Sequence, residues 1–302
     1  MNLLTYKING MKKILMFCLS LTVGIVAAVA LPKGASSPRL LLKTDQHLMA
    51  PVWSPSGDKI AVTTDNYTGI LVADASGTNL RRLTSDAGVG YKMTWTADGS
   101  RIVGRTNVAA NRMVLHELKA YDVASAKSTV LIAKNRFDGT PAASQVRQLK
   151  NGGSFSPTTV FEMMLNKPAD VASSVDGLRQ FKGSVVINPA LSPDGTKIAF
   201  QIAGKGIFVC NADGSNVVSL CKGSYPSWLA DNRTIVMTVV TDDGMKFTSS
   251  TLYAIDVVNG SKVTLLQNSG YIPRMPAVSP DGSTVAFVNA KDSSIYTITL
   301  KY

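Results

Sequence analysis

The sequence has few of the residues that build catalytic and metal centres. It has two histidines, His47 and His116, and three cysteines in 302 residues. Glu117 follows His116, but no second histidine completes a His-Glu-x-x-His zinc helix. No Gly-x-Ser-x-Gly occurs, so a nucleophile elbow is excluded. No Lys/Arg run exceeds two residues and no nucleic-acid module is recognisable, so nucleic acid is not an expected partner. Charged residues make up 17 % and hydrophobic residues 45 %, a balance that excludes disorder and supports a large core.

The first thirty residues read as a targeting segment. Lys12 and Lys13 precede an uncharged apolar run from Ile14 to Ala30, which ends in Ala28-Val29-Ala30. Basic start, apolar stretch and small-x-small end describe a signal peptide over 1–30, removed after Ala30. Residues 1–10 read as an upstream extension, with Met11 an alternative start. The rival reading is an uncleaved anchor, since the run has the length of a short span. Cys18 follows Leu15-Met16-Phe17 rather than the small residues a lipobox wants. The expected product is periplasmic or secreted, with no transmembrane span after cleavage.

Basic residues number 31 and acidic 20, a net charge of +11. Lys7, Lys12 and Lys13 leave with the leader, so the mature chain carries about +8, which serves solubility or an anionic envelope surface. It keeps Cys210 and Cys221. Their hairpin register sets them too far apart for a disulfide, so two free or buried thiols are expected.

The main signal is an internal repeat. Five segments align: Pro51-Val-Trp-Ser-Pro-Ser-Gly-Asp-Lys-Ile-Ala-Val62, Met93-Thr-Trp-Thr-Ala-Asp-Gly-Ser-Arg-Ile-Val103, Pro189-Ala-Leu-Ser-Pro-Asp-Gly-Thr-Lys-Ile-Ala-Phe200, Pro226-Ser-Trp-Leu-Ala-Asp-Asn-Arg-Thr-Ile-Val236 and Pro276-Ala-Val-Ser-Pro-Asp-Gly-Ser-Thr-Val-Ala-Phe287. In each, an apolar anchor ends one strand: Trp53, Trp95, Leu191, Trp228 or Val278. A tight turn follows, with Gly or Asn232 at the left-handed position, and then a β-branched strand. A second hairpin separates the copies, as in Gly206–Leu220 and Gly69–Leu83. Asp74–Asn79 and Asn211–Asn216 are its turns, since neither has the spacing of a calcium loop. Recurrence of Asp194 and Asp281 at one repeat position likewise marks turn chemistry.

Two hairpins per unit make a four-stranded antiparallel blade. Anchor spacings are 42, 96, 37 and 50 residues. The 96-residue gap implies a hidden, degenerate third blade at about 133–187. The expected fold is therefore all-β: one six-bladed β-propeller over 31–302. After Ile295–Leu300 the last blade lacks an outer strand. Arg39–Thr44 precedes the first repeat and is predicted to complete it, removing an open edge.

The Pro-x-Trp-Ser-Pro-Asp-Gly pattern, with Ile-Ala-Phe after it, resembles the WD40-like PD40 repeats of TolB-type propellers. The resemblance covers most of residues 39–302 apart from the third blade. It implies a propeller that docks proteins of the cell envelope. The TolB proteins themselves also carry an N-terminal α/β domain, for which this sequence has no expected room, so the role does not transfer directly. Related propellers form oligogalacturonate lyases, which hold a metal with more histidines than this chain has.

Loops between blades, and between second and third strands, should meet at one end of the channel. They carry His47, Tyr67, Tyr91, Asn107, Arg112, Tyr225, Lys246, Tyr271, Arg274 and Lys291. Tyr and Arg favour interfaces, and Tyr also stacks on sugars. The site expected from these is His47, Tyr67, Tyr91, Arg112, Tyr225, Tyr271 and Arg274. No catalytic residue, metal or cofactor is assigned. The expected function is a monomeric scaffold binding an envelope protein or glycan. The alternative is a carbohydrate-active enzyme working at the channel with acids and His47. The insert from Asn151 through Glu162 is expected to overhang one face.

Overall fold

The computed structural model describes residues 31–302 apart from 111, 136–158 and 268. The expected leader over 1–30 and the insert as far as 158 lie outside those residues. The described chain is a propeller of four-stranded antiparallel blades.

Blade 1 is β3 (Leu48–Trp53), β4 (Lys59–Thr64), β5 (Thr68–Asp74) and β6 (Arg81–Thr84). Blade 2 is β7 (Thr94–Trp95), β8 (Arg101–Ala110), β9 (Met113–Asp122) and β10 (Ser128–Asn135). Blade 3 is β11 (Val186–Leu191), β12 (Lys197–Ile202), β13 (Gly206–Asn211) and β14 (Val218–Cys221). Blade 4 is β15 (Ser224–Trp228), β16 (Thr234–Asp242), β17 (Phe247–Asp256) and β18 (Lys262–Leu266). Blade 5 has β19 (Pro273–Val278), β20 (Thr284–Asn289) and β21 (Ser294–Lys301) from the C-terminal repeat.

Blade 5 takes its outer strand from the other end of the chain. β2 (Arg39–Leu42) pairs antiparallel with β21, in the register Arg39↔Thr297 and Leu42↔Ile295. The two-residue β1 (Gly34–Ala35) extends the same edge against Lys301 and Leu300. The closure expected from Arg39–Thr44 is present, two residues shorter.

Among the described residues the blade count is five, which corrects the expected six. In the stretch expected to be a degenerate third blade, residues 133–135 end β10, residues 186–187 begin β11, and the described residues from 159 to 185 form helices and turns with no strand. Thr159 caps α1 (Val160–Asn166): its hydroxyl accepts from Glu162 N at 3.2 Å, and Glu162 Oε2 accepts from Thr159 N at 3.1 Å. This Thr-x-x-Glu box nucleates a helix where the spacing argument expected strands. A short α2 (Val171–Ser174) and a 3-10 segment (Asp176–Phe181) follow.

The second strand of a blade is covered on both faces, by neighbouring blades or, in blade 3, on one side by the helical segment, and so reads as a continuous apolar run such as Ile60–Val62 or Ile198–Phe200. Apolar clusters bridge blades 5 and 1, 1 and 2, 3 and 4, and 4 and 5. Between blades 2 and 3 the pattern breaks. Val103, Leu118 and Ala120 of blade 2 form their own small cluster. Blade 3 instead packs Ile198, Phe200 and Phe208 against Met164, Val171, Leu178 and Phe181 of the helical segment.

The anchors explain the other seams. Trp53 Nε1 donates to Ala277 O at 3.0 Å, Trp95 Nε1 to Val52 O at 3.1 Å, and Trp228 Nε1 to Ala190 O at 2.9 Å. Each indole ties its blade to the preceding one. Leu191, at the anchor position of blade 3, has no side-chain N–H to donate and is 39 % exposed.

The recurrent aspartates work in turns. Asp194 Oδ1 accepts from Ser192 Oγ at 2.6 Å and Thr196 N at 3.0 Å. Asp98 repeats this with Thr96 and Ser100. Asn232 has φ 56°, as its turn requires. Cys210 and Cys221 are unpaired; Cys221 lies opposite Ile207, and burial pushes the Cys210 thiol up to about 12.

Candidate functional site

The inner strands of all five blades line a channel of ≈ 810 Å³. At one end it meets a mouth cavity of ≈ 450 Å³, with Pro51, Pro189, Pro226 and Pro276 common to both. Pro has no N–H to give a ladder, so it suits the channel edge of an inner strand and the bulges there. Ladder shifts flank these prolines, between Met49 and Val52, Ile187 and Ala190, Ser224 and Ser227, and Arg274 and Ala277.

Each inner segment places one non-glycine residue in the left-handed region. They are Ala50 (φ 49°), Lys92 (φ 53°), Asn188 (φ 50°), Tyr225 (φ 57°) and Met275 (φ 49°). Such a conformation costs about 1–2 kcal/mol in a residue other than Gly or Asn. All five line the mouth cavity. A bulge re-aims the side chain it carries, and here the repeat aims one side chain per blade at a common space.

Several contacts hold these residues. Gln201 accepts from Asn188 Nδ2 at 2.9 Å and from Tyr225 N at 3.4 Å, while its own Nε2 donates to Ser224 Oγ at 3.0 Å. Arg274 Nη2 donates to Tyr225 Oη at 3.0 Å, and its guanidinium lies 3.9 Å from the Phe247 ring centroid. Tyr67 and Tyr91 meet edge to face at 5.0 Å. Gly90 permits that meeting, because a Cβ there would stand 2.0 Å from Thr63 Oγ1.

Lys92 is the cation of the mouth lining. Its Nζ donates to Leu165 O in the last turn of α1, at 3.1 Å, and so joins blade 2 to the helical segment. Burial, and then the Arg105 charge, push its ammonium down to about 8. Among the described residues, no Asp or Glu lines the mouth cavity or the channel. The acids expected there by the enzyme alternative are therefore not among the described lining residues. No group of three or more His, Cys, Asp or Glu that could hold a metal occurs among the described residues.

Of the residues expected at the site, Tyr67, Tyr91 and Tyr225 line the mouth, and Arg274 holds Tyr225 from an adjoining recess of ≈ 360 Å³. The others lie elsewhere. His47 pairs with Asp65 at 3.1 Å, both side chains exposed and neither in the mouth lining. Arg112 is exposed in the turn between β8 and β9, and Tyr271 packs on Tyr296 in the seam of blades 4 and 5. Asn107, Lys246 and Lys291 do not line the mouth either. Lys92, Asn188, Met275 and Gln201 were not anticipated. The signal for the first three is positional: each stands three residues before its blade's anchor, as do Ala50 and Tyr225.

No protein-family model matches the sequence, and no curated protein matches it. Solved structures do, as propellers. The Cps50 (Swd1) β-propeller domain of Myceliophteria thermophila aligns with TM-score 0.50 and 9 % identity, over 86 % of this chain and 98 % of that one. An oligogalacturonate lyase from Vibrio parahaemolyticus aligns at TM-score 0.47 and 13 % identity, over 88 % and 95 %. TolB from Acinetobacter baumannii aligns at TM-score 0.38 and 14 % identity, over 86 % of this chain. The chain spans 56 % of the TolB chain's length. At these identities the likeness concerns the fold: the protein is a β-propeller.

Proposed function

We propose that this chain is an exported binding propeller that takes an envelope protein or glycan at the channel mouth. The observation that carries the reading is the ring of five left-handed residues, one per blade, lining one cavity. Strain repeated at one place on a rigid scaffold serves binding better than packing, because a buried core needs no such conformers. Tyr67, Tyr91 and Tyr225 add the amphipathic surface that recognition favours. Export rests on the Lys12-Lys13 start and the apolar run to Ala30. No helix among the described residues is long and apolar enough to cross a membrane.

The test is photo-crosslinking in envelope extract. One form carries p-benzoylphenylalanine at Tyr225, and a control carries it at Thr196, in the turn at the opposite end of blade 3. Discrete adducts are expected from position 225 and not from 196. Equal adduct yields at both positions would sink the reading.

A further inference from the structure

The mouth lining is mostly apolar, with one charge. Prolines, Val186 and Met275 stand beside Tyr67, Tyr91, Tyr225 and the amide of Asn188, and the charge is the ammonium of Lys92. An ammonium has three donors, and Leu165 O takes one of them. No carboxylate pairs with Lys92 among the described residues, although a half-buried cation is costly without an anion. A cavity of ≈ 450 Å³ lies in the range that encloses a small molecule.

We propose that the mouth cavity receives a ring-bearing monocarboxylate, with its carboxylate on the Lys92 ammonium and its apolar ring against the tyrosine and proline wall. The inference rests on reading the mouth as the binding end, and adds the chemistry of what enters it. Three features select this class. A carboxylate supplies the counter-charge that Lys92 lacks, and a charge-assisted hydrogen bond is about twice as strong as a neutral one. A planar ring suits tyrosine edges and faces. A sugar acid has no flat apolar ring to set against the prolines, Val186 and Met275, so it forgoes that part of the contact and should bind less tightly than an aromatic acid.

Calorimetric titration of the full chain with benzoate, benzamide and glucuronate tests this. Benzoate should bind at least tenfold more tightly than benzamide, its uncharged isostere, and than glucuronate. Lys92→Met should lower benzoate affinity at least tenfold, and Lys92→Arg should restore most of it. Met275→Glu leaves the Lys92–Leu165 bond untouched and sets a repelling carboxylate in the wall; it should abolish benzoate binding. A thermal melt of each variant separates lost binding from lost fold. The inference is overturned if benzamide or glucuronate matches benzoate, if folded Lys92→Met and Met275→Glu both bind like the parent, or if benzoate does not bind. Should benzoate fail while Tyr225 still crosslinks a partner, only the ligand chemistry is wrong. Should benzoate bind while Tyr225 crosslinks nothing, the partner-binding reading fails instead.

Discussion

The seam between blades 5 and 1 and the seam between blades 2 and 3 solve one problem in different ways. At the first, Leu41 and Leu42 of the closing strand pack with Trp53, Val62 and Ile295 in one cluster, and Trp53 ties to Ala277. At the second, blade 2 and blade 3 keep separate clusters, and the helical segment fills blade 3's side. The described polar bridge there is Lys92 to Leu165 O. A ring of blades tolerates an irregular seam if every other seam is a continuous core. The irregular seam is also where the cavity gains its cation, so the departure from the repeat and the chemistry of the mouth coincide.

Removing the closing strand should have the largest effect. Deleting residues 34–42 strips the β21 edge of its partner and empties the places of Leu41 and Leu42, which are 7 % and 2 % exposed. Burying each leucine contributes about 1.5–3 kcal/mol, and the lost ladder adds to that. Against a domain stability of about 5–15 kcal/mol, cooperative unfolding should be lost. A calorimetric transition unchanged from the full chain would show that seam 5–1 does not carry the ring.

The matching break at the other seam is Phe181→Ala. Phe181 is 2 % exposed and meets Phe208 at 4.7 Å and Phe200 at 5.6 Å, both edge to face. Truncation should cost about 3–5 kcal/mol in urea unfolding, with the transition still cooperative. A cost below 1 kcal/mol would mean that the helical segment decorates blade 3 rather than supporting it.

The two seams were unequally legible in the sequence. Arg39–Leu42 could be read because β2 resembles the outer strand Arg81–Thr84, and a blade short of one strand needs a donor. The helical segment could not be read by spacing, because a 96-residue gap divides into two repeats as easily as into one repeat and an insert. The local cue was there: Thr159 and Glu162 at capping-box spacing before an apolar run. The site was half legible for a similar reason. Residue type singled out Tyr67, Tyr91, Tyr225 and Arg274. It did not single out Lys92, Asn188 and Met275, whose common property is position relative to the anchor, and of its other residues His47, Arg112 and Tyr271 lie outside the lining of that cavity.

A smaller effect separates the seams by pH. Lys92 holds its proton to about 8 in the fold, against an ordinary 10.5. Below pH 8 both folded and unfolded chains are protonated there, and the cost of the buried charge is fully present. Between 8 and 10.5 the folded chain has released the proton while the unfolded chain keeps it, so stability rises with pH. Compared with Lys92→Met, the parent should gain about 2 kcal/mol between pH 7.5 and pH 10. Taking the difference cancels other titrations, such as Tyr67, whose phenol burial pushes upward. A difference flat with pH would remove Lys92 from the buried seam.

The smallest effect concerns the indole ties. Trp228→Phe keeps most of the ring's packing but leaves Ala190 O without its donor, which should cost about 1 kcal/mol. Leu191→Trp puts an indole at the equivalent position in blade 3. If an anchor tryptophan stabilises simply by covering apolar surface, Leu191→Trp should help, since that position is 39 % exposed. If it stabilises by bonding a carbonyl of an abutting blade, the helix-filled seam offers it no equivalent partner. The gain should then stay below about 0.5 kcal/mol. Chemical denaturation of both variants decides between these. A gain at Leu191 as large as the loss at Trp228 would show that blades 2 and 3 meet as closely as the others, and the contrast between the seams would fall.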